Sequence, residues 1–347
     1  MQYREFGNTD LLVSEIGFGA WAIGGGAMIG NIPIGWGNAD DAVSVKAIHA
    51  ALDAGINFFD TADIYGLGQS ESLLGKTIGK RKDVIIASKG GNVARNNQFT
   101  VDYSKEHIIT ACENSLKRLR RETIDFYQLH TARIQHLQEG GCVEAMKQLQ
   151  KQGKIRYWGI SLNTFEPLPE ADYFIENKIG NARPDDLVGR GFQLALNLLN
   201  QKAIPLLKKS SENGYGIIAR MALQFGLLTG KFDLPTETLA KEGKELFASN
   251  DHRKKRLTKE VIEISNDALQ PVWELCKKYN CTKTQLALSY VLSHPEVSTI
   301  IAGIRTSEQV QLNTTGLFKL DMTDMQMIEQ LGESEFIAVM KLIQEQG

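Results

Sequence analysis

The chain has 347 residues, 42% of them hydrophobic, 23% charged and 8% aromatic, with a formal net charge of −2 at pH 7. These proportions exclude a disordered, collagen-like or membrane-embedded chain. The small net charge offers no global attraction for nucleic acid or an anionic membrane. The length fits two ordinary domains or one large α/β barrel.

Cys112, Cys142, Cys276 and Cys281 share no C-x-x-C spacing, so neither a disulfide framework nor a zinc site is indicated, and no metal is expected. The first residues carry no apolar signal core. The longest uncharged apolar run, 16–30, is broken by glycines and falls short of the ~18 residues of a membrane helix. A cytoplasmic protein is the expectation.

Tyr3–Phe6 and Leu11–Val13 flank Gly7-Asn8-Thr9-Asp10 and predict a β-hairpin at one end of the fold. Eight short apolar runs follow, at 14–18, 56–59, 84–87, 124–129, 155–160, 192–196, 217–219 and 299–302. They are continuous rather than alternating, as strands covered on both faces are. Amphipathic stretches separate most of them. Asp40 or Asp41 caps a helix with the stripe Val43, Ala47, Ala51 and an exit at Gly55. Ser104 opens a helix with Ile108, Cys112, Ser115 and Leu119 on one face. Thr282 and Gln285 form a capping box ahead of Leu286 and Tyr290.

Eight βα units predict a (β/α)8 TIM barrel spanning residues 1–347 as one domain, with the N-terminal hairpin as a cap and long βα loops. A doubly wound sheet with an extra domain is the other arrangement compatible with the pattern. The long connections are 163–190 and 224–266. The second holds His252-Arg253-Lys254-Lys255-Arg256, which reads either as a solvated helical face or as a group near a cofactor phosphate.

Chemistry in such a barrel gathers where strands end. Asp60 closes its strand in F-F-D-T-A-D-I-Y-G, with Tyr65 in the following loop. Lys89 ends A-S-K and His130 ends Q-L-H. Singly, each has an ordinary structural reading as a turn, surface or core residue; jointly they suit carbonyl reduction. A phenol with a pKa near 10 is a sluggish acid, and an ammonium beside it favours its ionised form. Asp60 would keep Lys89 charged, and His130 would orient the carbonyl oxygen. The hydride has to come from a cofactor.

With these residues in view, the chain resembles the aldo-keto reductase family over nearly its whole length, from F-G-N-T-D-L-L-V-S-E-I-G-F-G at 6–19 to A-G-I-R-T-S-E-Q-V at 302–310. The resemblance implies Tyr65 as acid/base, Lys89 and Asp60 as its tuning partners and His130 as carbonyl orienter. It also implies NADPH, with NADH less favoured. Ser161, Asn163 and Gln193 would meet the nicotinamide carboxamide. The family often has Asn directly after the strand-five serine; here Leu162 intervenes, so a contact from Asn163 shifts or is lost. Arg220 would stack under the nicotinamide ring.

In A-R-M-A-L-Q-F-G-L-L-T-G-K, the resemblance marks Leu223, Gly226, Leu228, Gly230 and Lys231 as a strip folded over the pyrophosphate. Gly303, Arg305, Thr306, Gln309 and Asn313 would serve the adenosine end. A helix N-terminus beside Arg305 suits a 2′-phosphate, although a Thr306–Gln309 capping box reads equally well locally.

Trp21 matches a substrate-pocket position, and Trp36 is either a second pocket residue or loop packing. The expected function is reduction of small-molecule aldehydes or ketones by a monomer or small homo-oligomer with no nucleic-acid or membrane partner. Two alternatives are a nucleotide-binding sensor or regulatory subunit, like the potassium-channel β-subunits that share the barrel, and a lyase or isomerase using Lys89 as a Schiff-base nucleophile.

Overall fold

The apolar runs become strands because both of their faces are covered, one by the barrel interior and one by helices. In the computed structural model, residues 1–177, 189–233 and 247–346 are described. The stretches 178–188 and 234–246, parts of the two long connections, lie outside the described residues, as does residue 347.

An antiparallel hairpin of β1 (Tyr3–Glu5) and β2 (Leu12–Ser14) opens the chain. Then come β3 (Ile16–Gly19), a small hairpin of β4 (Met28–Ile29) and β5 (Ile32–Pro33), β6 (Phe58–Asp60) and β7 (Ile85–Gly90). A further hairpin pairs β8 (Asn92–Arg95) with β9 (Gln98–Val101). The remaining strands are β10 (Ile124–His130), β11 (Ile155–Ser161), β12 (Gly191–Ala195), β13 (Gly216–Arg220) and β14 (Thr299–Gly303). Strands β3, β6, β7 and β10 to β14 pair in parallel, and β14 returns to β3, so the barrel closes. This is the (β/α)8 architecture expected from the sequence.

Several strands run one residue past their apolar runs at the C-terminal end, so Asp60, His130 and Ser161 close the ladder, as the strand-end reading placed them. The first strand differs at its start. Ser14 belongs to the hairpin, paired with Tyr3, and the barrel strand begins at Ile16.

The helices start where the caps predict. Asp40 accepts from the amides of Ala42 and Val43 to open α1 (Asp41–Asp53). Its buried face is Ser44, Ala47, Ile48 and Ala51, while Val43 lies 40% exposed, one position off the expected stripe. Ser104 caps the Lys105–Leu119 helix, which buries all four expected residues. Thr282 and Gln285 form their reciprocal box. His252, Arg253 and Arg256 are half-buried, whereas Lys254 and Lys255 are exposed, so the basic run is not a uniformly solvated face.

The hairpin closes the lower end of the barrel. Phe6 is fully buried and meets Phe126 edge-on at 4.9 Å and Phe58 at 6.4 Å, with Leu11 and Val13 beside it. The fit requires glycine opposite: a Cβ on Gly191 or Gly216 would stand 2.7 or 2.6 Å from the Phe6 ring. Phe6→Ala leaves a cavity that this rigid floor cannot close, and is expected to cost about 3–5 kcal/mol. Urea unfolding checks it, and a loss under about 1 kcal/mol would show the hairpin to be dispensable packing.

Candidate active site

Adjacent strand ends place an acid and a base within bonding reach. Asp60 ends β6 and Lys89 lies near the end of β7, and these two strands are paired. Lys89 Nζ stands 2.5 Å from Asp60 Oδ2, with the two side chains 0% and 1% exposed. The ammonium also donates to the Thr61 carbonyl at 2.8 Å and to Tyr65 Oη at 3.1 Å. An ammonium has three N–H groups, and each has an acceptor here. The Tyr65 oxygen therefore accepts from Lys89, and its own proton is directed elsewhere.

Two glutamines complete the arrangement. Gln128 and Gln193 donate to Asp60 Oδ1 at 3.1 and 2.8 Å. Gln128 escaped the sequence reading. The signal was present: a polar residue two places before His130, hence on the same face of an otherwise apolar strand. Gln193 was expected to meet a carboxamide, and its N–H side is instead committed to Asp60.

His130 faces Tyr65 with ring centroids 5.9 Å apart. Its backbone carbonyl is held by two hydroxyls, Tyr103 Oη at 2.5 Å and Thr131 Oγ1 at 2.6 Å. Burial, then the nearby Lys89 and Arg220 charges, hold its pKa well below the usual 6.5, so the imidazole is neutral. Its Nδ1 is buried with no partner among the described residues. For Lys89, burial opposes the charge, but Asp60 and Tyr65 outweigh it and leave the ammonium above its ordinary value.

Tyr65 departs from the expectation of an acidified phenol. Burial raises its pKa, Lys89 lowers it, Asp60 raises it again, and the net result lies above 10. The ammonium moderates the cost of desolvation without overcoming it, so at neutral pH the group is a protonated phenol.

Trp21 meets Tyr65 edge-on at 4.6 Å, and His252, from the second long connection, meets Trp21 at 5.7 Å and Phe225 at 5.1 Å. Trp36 lies elsewhere: the edge of its indole abuts Gly303, and Arg253 covers the ring at 4.8 Å.

Ser161 ends β11, paired with both His130 and Gln193. Asn163 Oδ1 accepts from the amides of Phe165 and Glu166, so its acceptor serves the turn that follows. Arg220, at the end of β13, is fixed by the Leu162 carbonyl at 3.0 Å and Thr164 Oγ1 at 2.9 Å.

The strip after β13 is strained. Met221, Gln224 and Phe225 hold positive φ, as do Gly226 and Gly230. Such non-glycine conformers persist only where their surroundings enforce them. Asn197, fully buried, does part of this by donating to the Met221 carbonyl at 2.9 Å and Gln224 Oε1 at 3.0 Å. A buried asparagine just after the sixth barrel strand was the sequence signal for it. Leu223 caps the short helical turn within this strip, Leu228 is buried in it, and a Cβ at Gly226 would meet open space. Lys231 follows it, its ammonium over the Phe232 ring.

Beyond β14 the expected adenosine-end residues lie together. Thr306 and Gln309 form the capping box of the Ser307–Thr314 helix, Gln309 Oε1 accepts from the Arg305 amide at 2.7 Å, and Asn313 Nδ2 is buried without a partner among the described residues.

These features meet a known pattern. The profile of the Aldo/keto reductase family matches residues 15–333. The chain belongs to that family. It is similar to the aldo-keto reductase YhdN of Bacillus subtilis, with 32% identity over 90% of this chain and 87% of that one. It is also similar to the NADH-specific methylglyoxal reductase of Escherichia coli, with 27% identity over 96% and 99%. Among solved structures, the glycerol dehydrogenase of Gluconobacter oxydans superposes with a TM-score of 0.75 at 27% identity, covering 95% of this chain and 94% of that one. No helix of the described residues is long and apolar enough to cross a membrane.

Asp63, two residues before Tyr65, has an Oδ1 that is buried without a partner among the described residues. Burial first, then the Glu71 carboxylate, push its pKa from 3.8 up to about 8. A carboxyl raised on folding stabilises the native state below its unfolded value and loses that contribution as pH climbs to the folded one. Asp63→Asn cannot ionise, so its melting temperature relative to wild type should rise between about pH 5 and about pH 9. A difference independent of pH, in thermal melts without nucleotide, would refute the buried neutral carboxyl.

Proposed function

We propose that the protein is an NADPH-dependent oxidoreductase that reduces small-molecule aldehydes or ketones to alcohols, with Tyr65 as proton donor. The observation that carries this reading is the hydrogen bond from Lys89 Nζ to Tyr65 Oη at 3.1 Å, with Asp60 holding the ammonium from behind. It leaves the phenol protonated, with its donor unspent, next to a neutral imidazole.

The residues fit a nicotinamide dinucleotide. Among the described residues, Arg220 carries a buried Nε without a partner, Asn313 a buried amide without one, and Gly226 presents open backbone. Ser161, Gln193 and Arg220 would hold the nicotinamide, with the Gln193 carbonyl as the end able to meet a carboxamide N–H. The strip Leu223 to Lys231 would lie along the pyrophosphate, and Gly303, Arg305, Thr306, Gln309 and Asn313 around the adenosine end. When bound, NADPH supplies the hydride.

The remaining steps belong to the protein. A substrate carbonyl oxygen is received between Tyr65 Oη and the imidazole of His130, both of which donate to it. As negative charge develops on that oxygen, the Tyr65 proton moves to it. The phenolate left behind is stabilised by the ammonium of Lys89, which stays in place because Asp60 and the Thr61 carbonyl hold its other two protons. Trp21 walls the pocket beside the phenol. Relatives named for methylglyoxal and glycerol support small carbonyl or alcohol substrates.

Tyr65→Phe is expected to lower kcat for an aromatic aldehyde by at least about 100-fold, with NADPH affinity nearly unchanged. Full turnover in that variant would remove Tyr65 as the donor. In the wild type, kcat/KM for reduction should show no limb near the ordinary imidazole pKa of about 6.5, because His130 is already neutral there. It should fall only above about 10, as the phenol ionises. A limb near neutrality that is absent in His130→Gln would contradict the neutral imidazole. Arg305→Ala should weaken NADPH more than NADH in fluorescence titrations, and equal losses would discredit the 2′-phosphate assignment.

A further inference from the structure

Of the four cysteines, Cys112 and Cys142 are fully buried, whereas Cys276 and Cys281 are half-buried. The second pair is five residues apart and meets through the turn between them. The short helix Leu275–Lys278 ends at Tyr279, and Asn280 follows it with a left-handed φ of 47°. The Cys281 amide donates back to the Cys276 carbonyl at 3.0 Å, and the Asn280 amide to the Lys277 carbonyl at 3.4 Å. These two bonds around a left-handed residue form a Schellman motif.

A Schellman turn commonly sets an apolar side chain from the end of the helix against one just past the cap. Here both of those positions are cysteines. Their side chains meet, the Cys276 thiol donating to the Cys281 sulfur. A disulfide spans Cα atoms about 4.4–6.8 Å apart, and two residues joined by a short backbone hydrogen bond fall within that separation.

We propose that Cys276 and Cys281 form a reversible disulfide, a site of oxidative modification outside the catalytic centre. The oxidant is hydrogen peroxide. The Cys281 sulfur attacks one peroxide oxygen and the O–O bond breaks, giving a sulfenic acid and water. The Cys276 sulfur then attacks the sulfenic sulfur, the S–S bond forms, and a second water leaves with the Cys276 proton. Two thiols lose two electrons and two protons, and one hydrogen peroxide becomes two waters.

The order of attack follows from the bond between the thiols. Donation from Cys276 favours the Cys281 anion, while burial and then Cys281 itself push the Cys276 thiol up to about 12. Thiols whose anions are disfavoured are slow to oxidise and, once joined, hard to reduce. The disulfide fastens a turn on which other contacts rest. Thr282 opens the Lys283–Leu292 helix directly after Cys281. Lys283 bonds to Asp233 at 2.8 Å and lies over the Trp273 ring at 4.8 Å, which ties this turn to the chain leaving the strip after β13.

The test is peptide mapping of the full chain. Reduced wild type is exposed to hydrogen peroxide, unfolded, alkylated with iodoacetamide and digested with trypsin without reductant. Cleavage at Lys277 and Lys278 leaves Cys276 in peptide 260–277 and Cys281 in peptide 279–283. These two peptides should appear joined and should separate in dithiothreitol, with Cys112 and Cys142 alkylated throughout. The oxidised chain should melt about 2–4 °C above the reduced one, because a cross-link made in the native contact restricts the unfolded chain. Cys276→Ser and Cys281→Ser should each abolish the joined peptides and the shift.

Equal alkylation of Cys276 and Cys281 before and after peroxide would overturn the proposal. So would joined peptides that link two chains, seen as a dimer in non-reducing electrophoresis. A joined pair with a lowered melting temperature would also overturn it, since the turn would then have to distort to close the bond.

Discussion

A charge pair with no water around it governs this protein. Lys89 and Asp60 are sealed in the upper barrel, 2.5 Å apart. Removing either ion from water costs several kcal/mol even after relaxation, and loss of one partner leaves the other as an uncompensated buried charge. The pair persists because the surrounding bonds use its capacity fully. Lys89 spends its three protons on Asp60, Thr61 and Tyr65, while Asp60 takes the Lys89 bond on one oxygen and two glutamine amides on the other. Such a network is rigid because every member is fixed by the others.

The barrel supplies that rigidity through register. Asp60 pairs with Ala87, two residues before Lys89, and Lys89 pairs directly with Gln128, so each member of the network sits at most two rungs from a neighbour on the next strand. His130 pairs with Ser161, and Ser161 with Gln193, which carries the same ring of polar side chains around the upper rim. Below it the interior is apolar: Phe6, Phe58, Phe126 and Ile218 fill the space beneath the ion pair. The N-terminal hairpin thus acts on the chemistry indirectly. It keeps water from the base of the barrel, where it would screen the pair that sets the phenol.

Much of this was legible in the sequence. Continuous apolar runs gave the strands because a strand buried on both faces has no polar alternation to show. Asp60, Lys89 and His130 stood out as polar residues closing apolar runs, and Tyr65 stood out beside them. The sign of the Tyr65 shift could not be read. It depends on the balance of burial against one ammonium, and composition carries no burial. Gln128 and Asn197 were missed because their roles depend on which strand end lies across from them. Trp36 was left between two roles for a related reason. Its partners at 253 and 305 are more than two hundred residues away in the chain, and no local period brings them together.

The first long loop sends its two tryptophans to different places. Trp21 stands against the phenol, whereas Trp36 stands against Gly303 on the side expected to hold the nucleotide. They are joined by more than sequence. The Gly35 carbonyl beside Trp36 accepts from His252, and the His252 ring lies against Trp21. His252 thus bridges the two tryptophans. Closely packed groups constrain one another, so one backbone carbonyl and one imidazole fix the two tryptophans of this loop relative to each other.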